Sequence, residues 1–261
     1  MTHRKFDSRP MTRRDALGTL GALGVVSLLG ARTRLVRPAR AAESAAIEGA
    51  CTLTPELTIG PYFVDERLNR SDVRGDSTSP FIADAVPLHL SIDATSVLTA
   101  GCPPIAGVQI DIWHCHAGGL YSDEAQNGTT GETWLRGYQT TDANGRATFT
   151  TIYPGWYQGR TVHIHVLARY YDGAGNTTYE FTTQLFFDDA TSDVVLASYP
   201  YDTRGDRDTR NSNDGIFDAS MVLDLADGGD GSFAATIALG LELEGATLAD
   251  AIYSNGFEVA T

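Results

Sequence analysis

Two histidines separated by one residue form the most informative chemical pattern in the sequence, His163-Ile164-His165. Residues two apart on a β-strand project to the same face, so both imidazoles would point one way and Ile164 the other. Two ring nitrogens at this spacing can bind one metal ion. Tyr157 and Arg160 precede His163 closely and add polar groups to the same region. The alternative is a pair of half-buried strand histidines without a metal.

A second pair of this kind, His114-Cys115-His116, follows the apolar segment 108–113. Four histidines together could bind copper, and three histidines with a carboxylate could bind zinc. Cys115, however, is a candidate for a disulfide, and a Gly-Gly turn begins at residue 118. We therefore expect neither His114 nor His116 to bind a metal. Tyr121, just beyond the turn, is the more useful residue.

Short strands are the elements that must position these side chains. Apolar and polar residues alternate in short runs, and turn sequences such as 142–145 and 172–176 separate them. Alternation with period two and frequent turns is typical of an all-β sandwich or barrel. The predicted strands cover residues 88–92, 108–113, 147–152, 162–167, 181–187, 221–225 and 233–241.

Irregular segments flank and interrupt the predicted domain, which spans residues 81–245. Residues 42–80 are rich in turn-forming and polar residues, and we expect them to form an N-terminal arm that lines the core. Residues 190–213 form an acidic connection with several arginines, which is too long for a hairpin turn; long ordered loops of this kind are often functional. Residues 246–261 are predicted to be a surface tail.

Residues 1–41 have the features of an export signal. Arg13 and Arg14 directly precede the apolar run 16–31, and Ala39-Arg40-Ala41 follows it. A basic head, a short apolar core and an A-x-A site describe a removable signal, and the run is too short to span a bilayer comfortably. The arginine pair favours the twin-arginine route; an ordinary secretory signal or an N-terminal anchor is the alternative. We predict a periplasmic or extracellular protein, cleaved near Ala41, with no stable membrane association afterwards.

The charge of the chain excludes some classes of partner. The formal net charge is −14, and removal of residues 1–41, which hold nine basic and two acidic residues, makes it −21. Such an acidic protein is unsuited to binding nucleic acid or an anionic membrane surface. In an oxidising compartment, two of the three cysteines, Cys51, Cys102 and Cys115, can form a disulfide. The sequence does not identify the pair.

Several motifs occur in an order that matches a known family, with Tyr121, Tyr157, Arg160, His163 and His165 in one series. The matching motifs are LTPE at 53–56, TIGPY at 58–62, DIWHC at 111–115, GLYS at 119–122, LRG at 135–137, TDANG at 141–145, PGWY at 154–157, HIH at 163–165, QLF at 184–186 and RDTRN at 207–211. On these residues the chain resembles the intradiol ring-cleavage dioxygenases, especially their exported single-domain branch. The resemblance covers residues 51 to 240 and implies a prealbumin-like β-sandwich.

The resemblance implies that Tyr121 and Tyr157 bind Fe(III) as phenolates and that His163 and His165 bind it as neutral imidazoles. Ferric iron is a hard, highly charged ion, so anionic oxygen ligands partly neutralise it and the phenol pKa falls below its free value of ~10. The implied reaction is cleavage by O₂ of the bond between the two oxygenated carbons of a catechol, which gives a muconate-type dicarboxylate. Tyr157 is implied to leave the metal when the catechol binds.

The resemblance also implies roles for residues around the metal. Arg160 matches an arginine that stabilises negative charge on the substrate, and Gln184 matches a polar residue near the O₂ site. Their alternatives are a surface ion pair and a solvent-facing strand glutamine. His116 departs from the family pattern, which has a small polar amide there. The residues that match a loop lining the substrate pocket are Thr58, Gly60, Pro61 and Tyr62, although Gly-Pro there could simply shape a turn.

Two other functions stay open from the sequence alone. One is a transthyretin-like β-sandwich that binds without catalysis, and the other is a copper or zinc enzyme that uses both histidine pairs. The expected partners are a catechol-type small molecule and O₂. The preferred catechol is not identified, and the oligomeric state is open, with a homodimer preferred.

Overall fold

The computed structural model of the protein describes residues 52–75 and 77–244. These residues belong to one compact unit, Ala45–Thr261. The predicted export signal (1–41), Cys51 and the predicted tail (246–261) lie outside the described residues, so what the sequence predicts for them stays a prediction. No helix within the described ranges is long and apolar enough to cross a membrane.

Two four-stranded sheets make up the described part of the chain and pack around one hydrophobic core. The strand order is β3-β2-β5-β6 in the first sheet and β4-β1-β8-β7 in the second. Neighbouring strands are antiparallel, except that β1 and β8 are parallel. The strands are β1 Pro87–Ser96, β2 Gln109–Trp113, β3 Arg136–Thr140, β4 Arg146–Ile152, β5 His163–Tyr171, β6 Thr177–Phe186, β7 Ala226–Asp227 and β8 Phe233–Leu241. The predicted all-β sandwich is confirmed.

Side-chain alternation along β5 separates the core from the candidate site. Ile164 and Val166 pack in the core between the sheets, together with Leu90 of β1. His163 and His165 project to the opposite, outer face of the first sheet. They are buried as well, because loops and the N-terminal segment cover that face. The strand is therefore buried on both sides, with hydrophobic packing on one and the candidate site on the other.

Residues 52–75, which belong to the predicted arm, run along the edges of three strands. Backbone hydrogen bonds of 2.8–2.9 Å join Leu57 to Thr182 of β6, Leu68 to Tyr138 of β3 and Ser71 to Thr150 of β4. An open strand edge exposes unpaired backbone groups that invite association with other chains. The arm closes these edges and, between them, crosses the outer face of the first sheet.

Short helices occupy the connections. They are the α-helices α1 Pro80–Ala83 and α2 Asp189–Leu196, and the 3₁₀ turns Ala125–Asn127, Tyr201–Arg204, Asn211–Asn213 and Ala219–Met221. Helix α2 begins the segment that the sequence predicts as a loop (190–213). The Asp188 carboxylate caps it by accepting from the backbone N–H of Thr191 (3.0 Å), and Val195 and Leu196 are buried. A helix of two turns is too short for its periodicity to be seen in the sequence.

Three strand assignments also differ from the prediction, one of them the two-residue strand β7, which is absent from the predicted set. The predicted strand at 221–225 is wrong: Met221 ends a 3₁₀ turn, and Val222 forms an isolated bridge to Phe186 of β6. Strand β3, which the sequence reading missed, contains Gly137 and several polar residues. It pairs with β2 on one side and the arm on the other, so long-range pairing stabilises it rather than an alternating pattern.

Candidate active site

The two histidines of the sequence pattern lie side by side on β5. Nε2 of His163 and Nε2 of His165 are 3.2 Å apart, and both side chains are fully buried rather than half-buried. Nδ1 of His163 donates to the carbonyl oxygen of Thr161 (2.6 Å). A neutral imidazole carries one proton, and this bond places it on Nδ1. Nε2 is therefore unprotonated, and its lone pair faces the site. The His165 ring stacks flat on Trp113 of β2, with centroids 4.9 Å apart.

Two tyrosine hydroxyls meet the histidine nitrogens from separate loops. Tyr121 follows β2 and Tyr157 follows β4. Oη of Tyr157 lies 3.1 Å from Nε2 of His163, and Oη of Tyr121 lies 3.5 Å from the same atom. The Tyr62 ring stacks on Tyr121 (centroids 4.4 Å apart) and meets Tyr157 edge-on (5.8 Å). The structure thus brings together two phenol oxygens and two imidazole nitrogens at one point.

Burial shifts the pKa values of the histidines and of the tyrosines in opposite directions. It lowers the pKa of His163 to about 3, with the positive charge of Arg160 adding to the effect, and it lowers the pKa of His165 well below its usual value. It raises the pKa of Tyr157 to about 12 and that of Tyr121 well above 10. Loss of water disfavours whichever form is charged. All four groups are therefore neutral near pH 7 in the metal-free protein.

The four converging side chains could bind a metal ion only if the two tyrosines act as ligands. Among the described residues, no group of three or more histidine, cysteine, aspartate or glutamate side chains could hold a metal ion. Two neutral imidazoles offer lone pairs without competition from protons, and two phenols become anionic oxygen ligands when a highly charged ion displaces their protons. Such a mixed set suits a hard ion better than a soft one.

Arg160 and Gln184 form the polar side of the site. Nη1 of Arg160 lies 3.4 Å from Nε2 of His163, Nε donates to Asp214 (2.9 Å) and Nη2 donates to Oε1 of Gln184. Gln184 is paired directly opposite His165 in the β5–β6 register and is fully buried. The solvent-facing alternative for Gln184 is therefore wrong. Arg160 does form an ion pair, but with a buried carboxylate and beside the histidines.

The arm residues differ in their relation to the site. Gly60, in the left-handed region (φ +73°), approaches His165 so closely that an added Cβ would lie 2.9 Å from Cε1 of the ring. Tyr62 covers the two tyrosines, as described above. Thr58 contributes its carbonyl oxygen, which accepts from Nε2 of Gln184 (2.8 Å). Pro61 is exposed.

The second histidine pair is engaged in other contacts. His114 bonds through Nε2 to Oγ1 of Thr151 (2.6 Å) and through Nδ1 to the carbonyl oxygen of Cys115 (2.9 Å). His116 stacks between the rings of Phe81 and Trp134. The expectation that neither His114 nor His116 binds a metal rests partly on Cys115 as a disulfide candidate. That premise is wrong: Cys115 is a buried free thiol, and Cys102 is the disulfide-bonded residue.

Sequence reasoning missed two residues that organise the site. Asp214 is the partner of Arg160, and Asn213-Asp214-Gly215 has the composition of an ordinary turn. Arg136 is buried in β3 and donates to the hydroxyl of Ser122 (2.9 Å) and to the carbonyl oxygen of Tyr62 (2.6 Å). It thereby joins the Tyr121 loop to the arm. The LRG motif at 135–137 was the available signal, but nothing in it indicated burial.

Comparison with known proteins places these observations in a family. A family model described as "Dioxygenase" matches residues 59–200, more than half of the chain. The chain is 30% identical over 169 residues to catechol 1,2-dioxygenase 1 of Acinetobacter lwoffii; the match covers 59% of this chain and 50% of that protein. The chain thus spans about half the length of that curated relative.

Solved structures extend the match. An intradiol ring-cleavage dioxygenase from Tetranychus urticae is 30% identical, with a TM-score of 0.62 over 76% of this chain and 98% of that one. The dioxygenase domain of a dioxygenase carbohydrate-binding protein fusion from Streptomyces sp. SirexAA-E is also 30% identical, with a TM-score of 0.54 over 73% and 99%. By these matches the chain belongs to the intradiol ring-cleavage dioxygenase family.

Proposed function

We propose that the protein is a non-haem Fe(III) enzyme that uses O₂ to cleave catechol-type rings between the two oxygenated carbons. Both oxygen atoms enter the product, a muconate-type dicarboxylate, and the substrate itself supplies the electrons. The observation that carries the proposal is the convergence of four side chains, Tyr121, Tyr157, His163 and His165, on one buried point. Membership of the family supports the same reaction class.

The four converging residues would hold the iron. His163 and His165 supply neutral nitrogen lone pairs, since burial keeps the pKa of His163 at about 3 and that of His165 well below the ordinary value. Tyr121 and Tyr157 supply phenolate oxygens. When bound, ferric iron supplies a Lewis-acidic centre that accepts catecholate oxygens and draws electron density from the ring.

Tyr157 is the better placed of the two tyrosines to take a proton from the substrate. Its side chain is less buried than that of Tyr121, which is almost completely enclosed. Burial raises the pKa of the metal-free Tyr157 phenol to about 12, so a Tyr157 phenolate that is no longer bound to a cation takes up a proton readily. A catechol hydroxyl that enters beside His163 delivers its proton to Oη of Tyr157. The substrate becomes anionic and Tyr157 becomes a neutral phenol.

Arg160 stabilises the anionic substrate. Its guanidinium carries a permanent positive charge, and Nη1 is 3.4 Å from Nε2 of His163, next to where the ring must bind. A fixed charge aimed at developing negative charge in a buried site lowers the barrier more than the same charge in water. Gln184 accepts from Arg160 and donates to the carbonyl oxygen of Thr58, and so joins Arg160 to the arm.

Export through the twin-arginine route is part of the proposal. It rests on the sequence features of residues 1–41, and the disulfide at Cys102 is compatible with an oxidising compartment. Transport of a folded, metal-loaded protein would suit a site that is closed by the arm.

Visible absorption of the iron-loaded full-length protein tests the function. Phenolate-to-Fe(III) charge transfer should colour the protein, and addition of catechol should shift the band and start O₂ uptake with formation of a muconate. Tyr157→Phe should lose much of the colour. Tyr153→Phe is the matched control, because Tyr153 is another buried tyrosine and its hydroxyl bonds to Ser192 (2.7 Å), away from the histidines.

Two results would contradict the proposal. A colourless preparation with one iron per chain would exclude phenolate ligation. A coloured protein that takes up no O₂ with catechol, protocatechuate, hydroxyquinol or lignin-derived catechols would favour a binding domain that has kept the metal site without the chemistry.

A further inference from the structure

A buried carboxylate lies directly behind the site. Asp214 follows the 3₁₀ turn Asn211–Asn213, and its side chain is 1% exposed. Its Oδ2 accepts from Nε of Arg160 (2.9 Å) and from the backbone N–H of Thr161 (2.8 Å), while Oδ1 accepts from the N–H of Ile216 (2.8 Å). A buried charge with three donors is highly ordered, because each donor would be left without a partner if the carboxylate moved.

Asp214 determines where the Arg160 guanidinium can lie. With Nε held by Asp214, the planar guanidinium has its other two nitrogens directed towards His163 and Gln184. Nε and Nη2 are therefore held by Asp214 and Gln184, while Nη1 lies beside Nε2 of His163, the atom proposed to bind the iron. A planar guanidinium held at two of its nitrogens loses little further freedom when the substrate binds.

The position of Asp214 is set by contacts on the far side of the loop. Asn211 donates to the carbonyl oxygen of Phe187 (2.8 Å) and accepts from the hydroxyl of Thr161 (2.6 Å). Arg207 pairs with Asp189 at the start of α2 (2.6 Å). These bonds join the 207–214 loop to α2 and to the end of β6, so the loop is a fixed support rather than a free surface segment.

We propose that Asp214 is a positioning residue for ring cleavage: it holds the Arg160 guanidinium beside Nε2 of His163, and through Arg160 it orients Gln184 and the arm carbonyl of Thr58. The proposal rests on the proposed function, because it assigns Arg160 the stabilisation of the anionic substrate. It predicts that Asp214 contributes to the chemical step without touching the substrate.

Asp214→Asn tests this inference, because asparagine has nearly the same shape but loses the charge and one acceptor. A displacement of the stabilising group by even ~1 Å can slow a reaction by roughly 100-fold, so we expect kcat to fall at least about 30-fold while KM changes less than about threefold. Iron content, the charge-transfer band and the dissociation constant of an unreactive catechol analogue should stay near wild type. Asp93→Asn is the matched control, since Asp93 also forms a close pair with an arginine, Arg146 (2.6 Å), but in the second sheet.

A double-mutant cycle separates positioning from a merely structural role. If Asp214 acts through Arg160, then Asp214→Asn should change kcat less than about twofold in an Arg160→Ala background, because both changes remove the same interaction. An equal loss in both backgrounds would overturn the proposal. Loss of iron or of the band in Asp214→Asn would also overturn it, since the effect would then pass through Thr161 and His163.

A second substitution keeps the test valid if Asp214→Asn is unstable. Asp214→Glu retains the charge at a shifted position and should lose less activity than Asp214→Asn; equal losses would indicate packing and overturn the proposal. Failure of the proposed function is recognised separately, because the wild-type protein would then show no ring cleavage. Wild-type cleavage with unchanged kcat in Asp214→Asn refutes only the role of Asp214.

Discussion

Replacement of Gly60 by alanine tests whether contact between the arm and His165 sets the geometry of the proposed metal ligands. The new methyl group would lie 2.9 Å from Cε1 of His165. Ordinary contacts between carbon atoms are ~3.5–4.0 Å, so at least about 0.6 Å must be taken up by one side. The ring is restrained, because one of its faces stacks on Trp113. The arm is restrained as well, by the bond from Gln184 to the carbonyl oxygen of Thr58.

The expected effect has two parts. Gly60 has a φ of +73°, and a residue with a Cβ costs roughly 1–2 kcal/mol in that region. The second part is the displacement of His165 or of the arm. Metal donors need positions within about 0.5 Å, and changes next to a metal ligand typically weaken metal binding or activity by ~10–100-fold. We therefore expect Gly60→Ala to lose at least about tenfold in iron affinity in addition to the loss of stability.

Gly175→Ala supplies the matched control. Gly175 has a similar positive φ (+85°) in the turn between β5 and β6, but nothing lies within 4 Å of an added Cβ. Both variants should lose a similar free energy of unfolding from backbone strain, measured by urea denaturation. Only Gly60→Ala should lose iron in competition with a chelator and show an altered charge-transfer band. Equal iron affinity in the two variants would refute the idea that the arm positions His165.

Two further predictions follow from the pKa shifts. Burial lowers the pKa of His114 and of His116 from 6.5 to about 4, so the unfolded chain binds more protons between these values and stability is lost as the pH falls from 6.5 towards 4. From pH 7 to pH 5 the free energy of unfolding should fall by about 2 kcal/mol for each histidine; urea titrations should show a smaller fall for His116→Phe, and an unchanged fall would contradict the assignment. Loading the metal-free protein with Fe(III) at pH 7 should release about two protons, because burial keeps Tyr121 and Tyr157 as phenols before binding. Calorimetry in buffers of different ionisation enthalpy counts them; Tyr157→Phe should release one fewer, and no release from the wild type would exclude phenolate ligands.

Local geometry explains why part of the site could be predicted from the sequence. His163 and His165 share a face because side chains alternate along any strand, and a single turn brings Tyr157 back to the start of that strand. Both relations join residues fewer than ten positions apart, so they can be recognised in the sequence. Gln184 lies opposite His165 only through the register of β5 and β6, which depends on the intervening turn. Its place at the site came from the resemblance to a family, not from its own neighbours.

The remaining features depend on tertiary contacts that leave no local pattern. Asp214 lies 54 residues after Arg160, to which it bonds, and a turn aspartate is usually solvated. Arg136 is buried because it satisfies carbonyl and hydroxyl acceptors from two other segments, whereas an arginine in a sequence is ordinarily taken as a surface residue. Cys115, a disulfide candidate by sequence, is a free thiol for the same kind of reason. It packs among aromatic side chains beside Tyr121, and burial raises the pKa of its thiol to about 12.

The arm makes the stability of the fold and the integrity of the site depend on each other. Arg169 of β5 donates to Asp65 of the arm (3.0 Å) and to Asp111 of β2 (3.1 Å), so the arm is anchored to the same strand that carries the histidines. Gly60 and Tyr62 lie between Asp65 and the segment that pairs with β6. They cover His165 and the two tyrosines of the site. Local opening of the arm would therefore expose strand edges and admit water to the site at once. Water would weaken the electrostatic effect of Arg160 and reverse the burial that keeps the imidazoles neutral. The segment that closes the sheet edges is thus also the one that keeps the site dry.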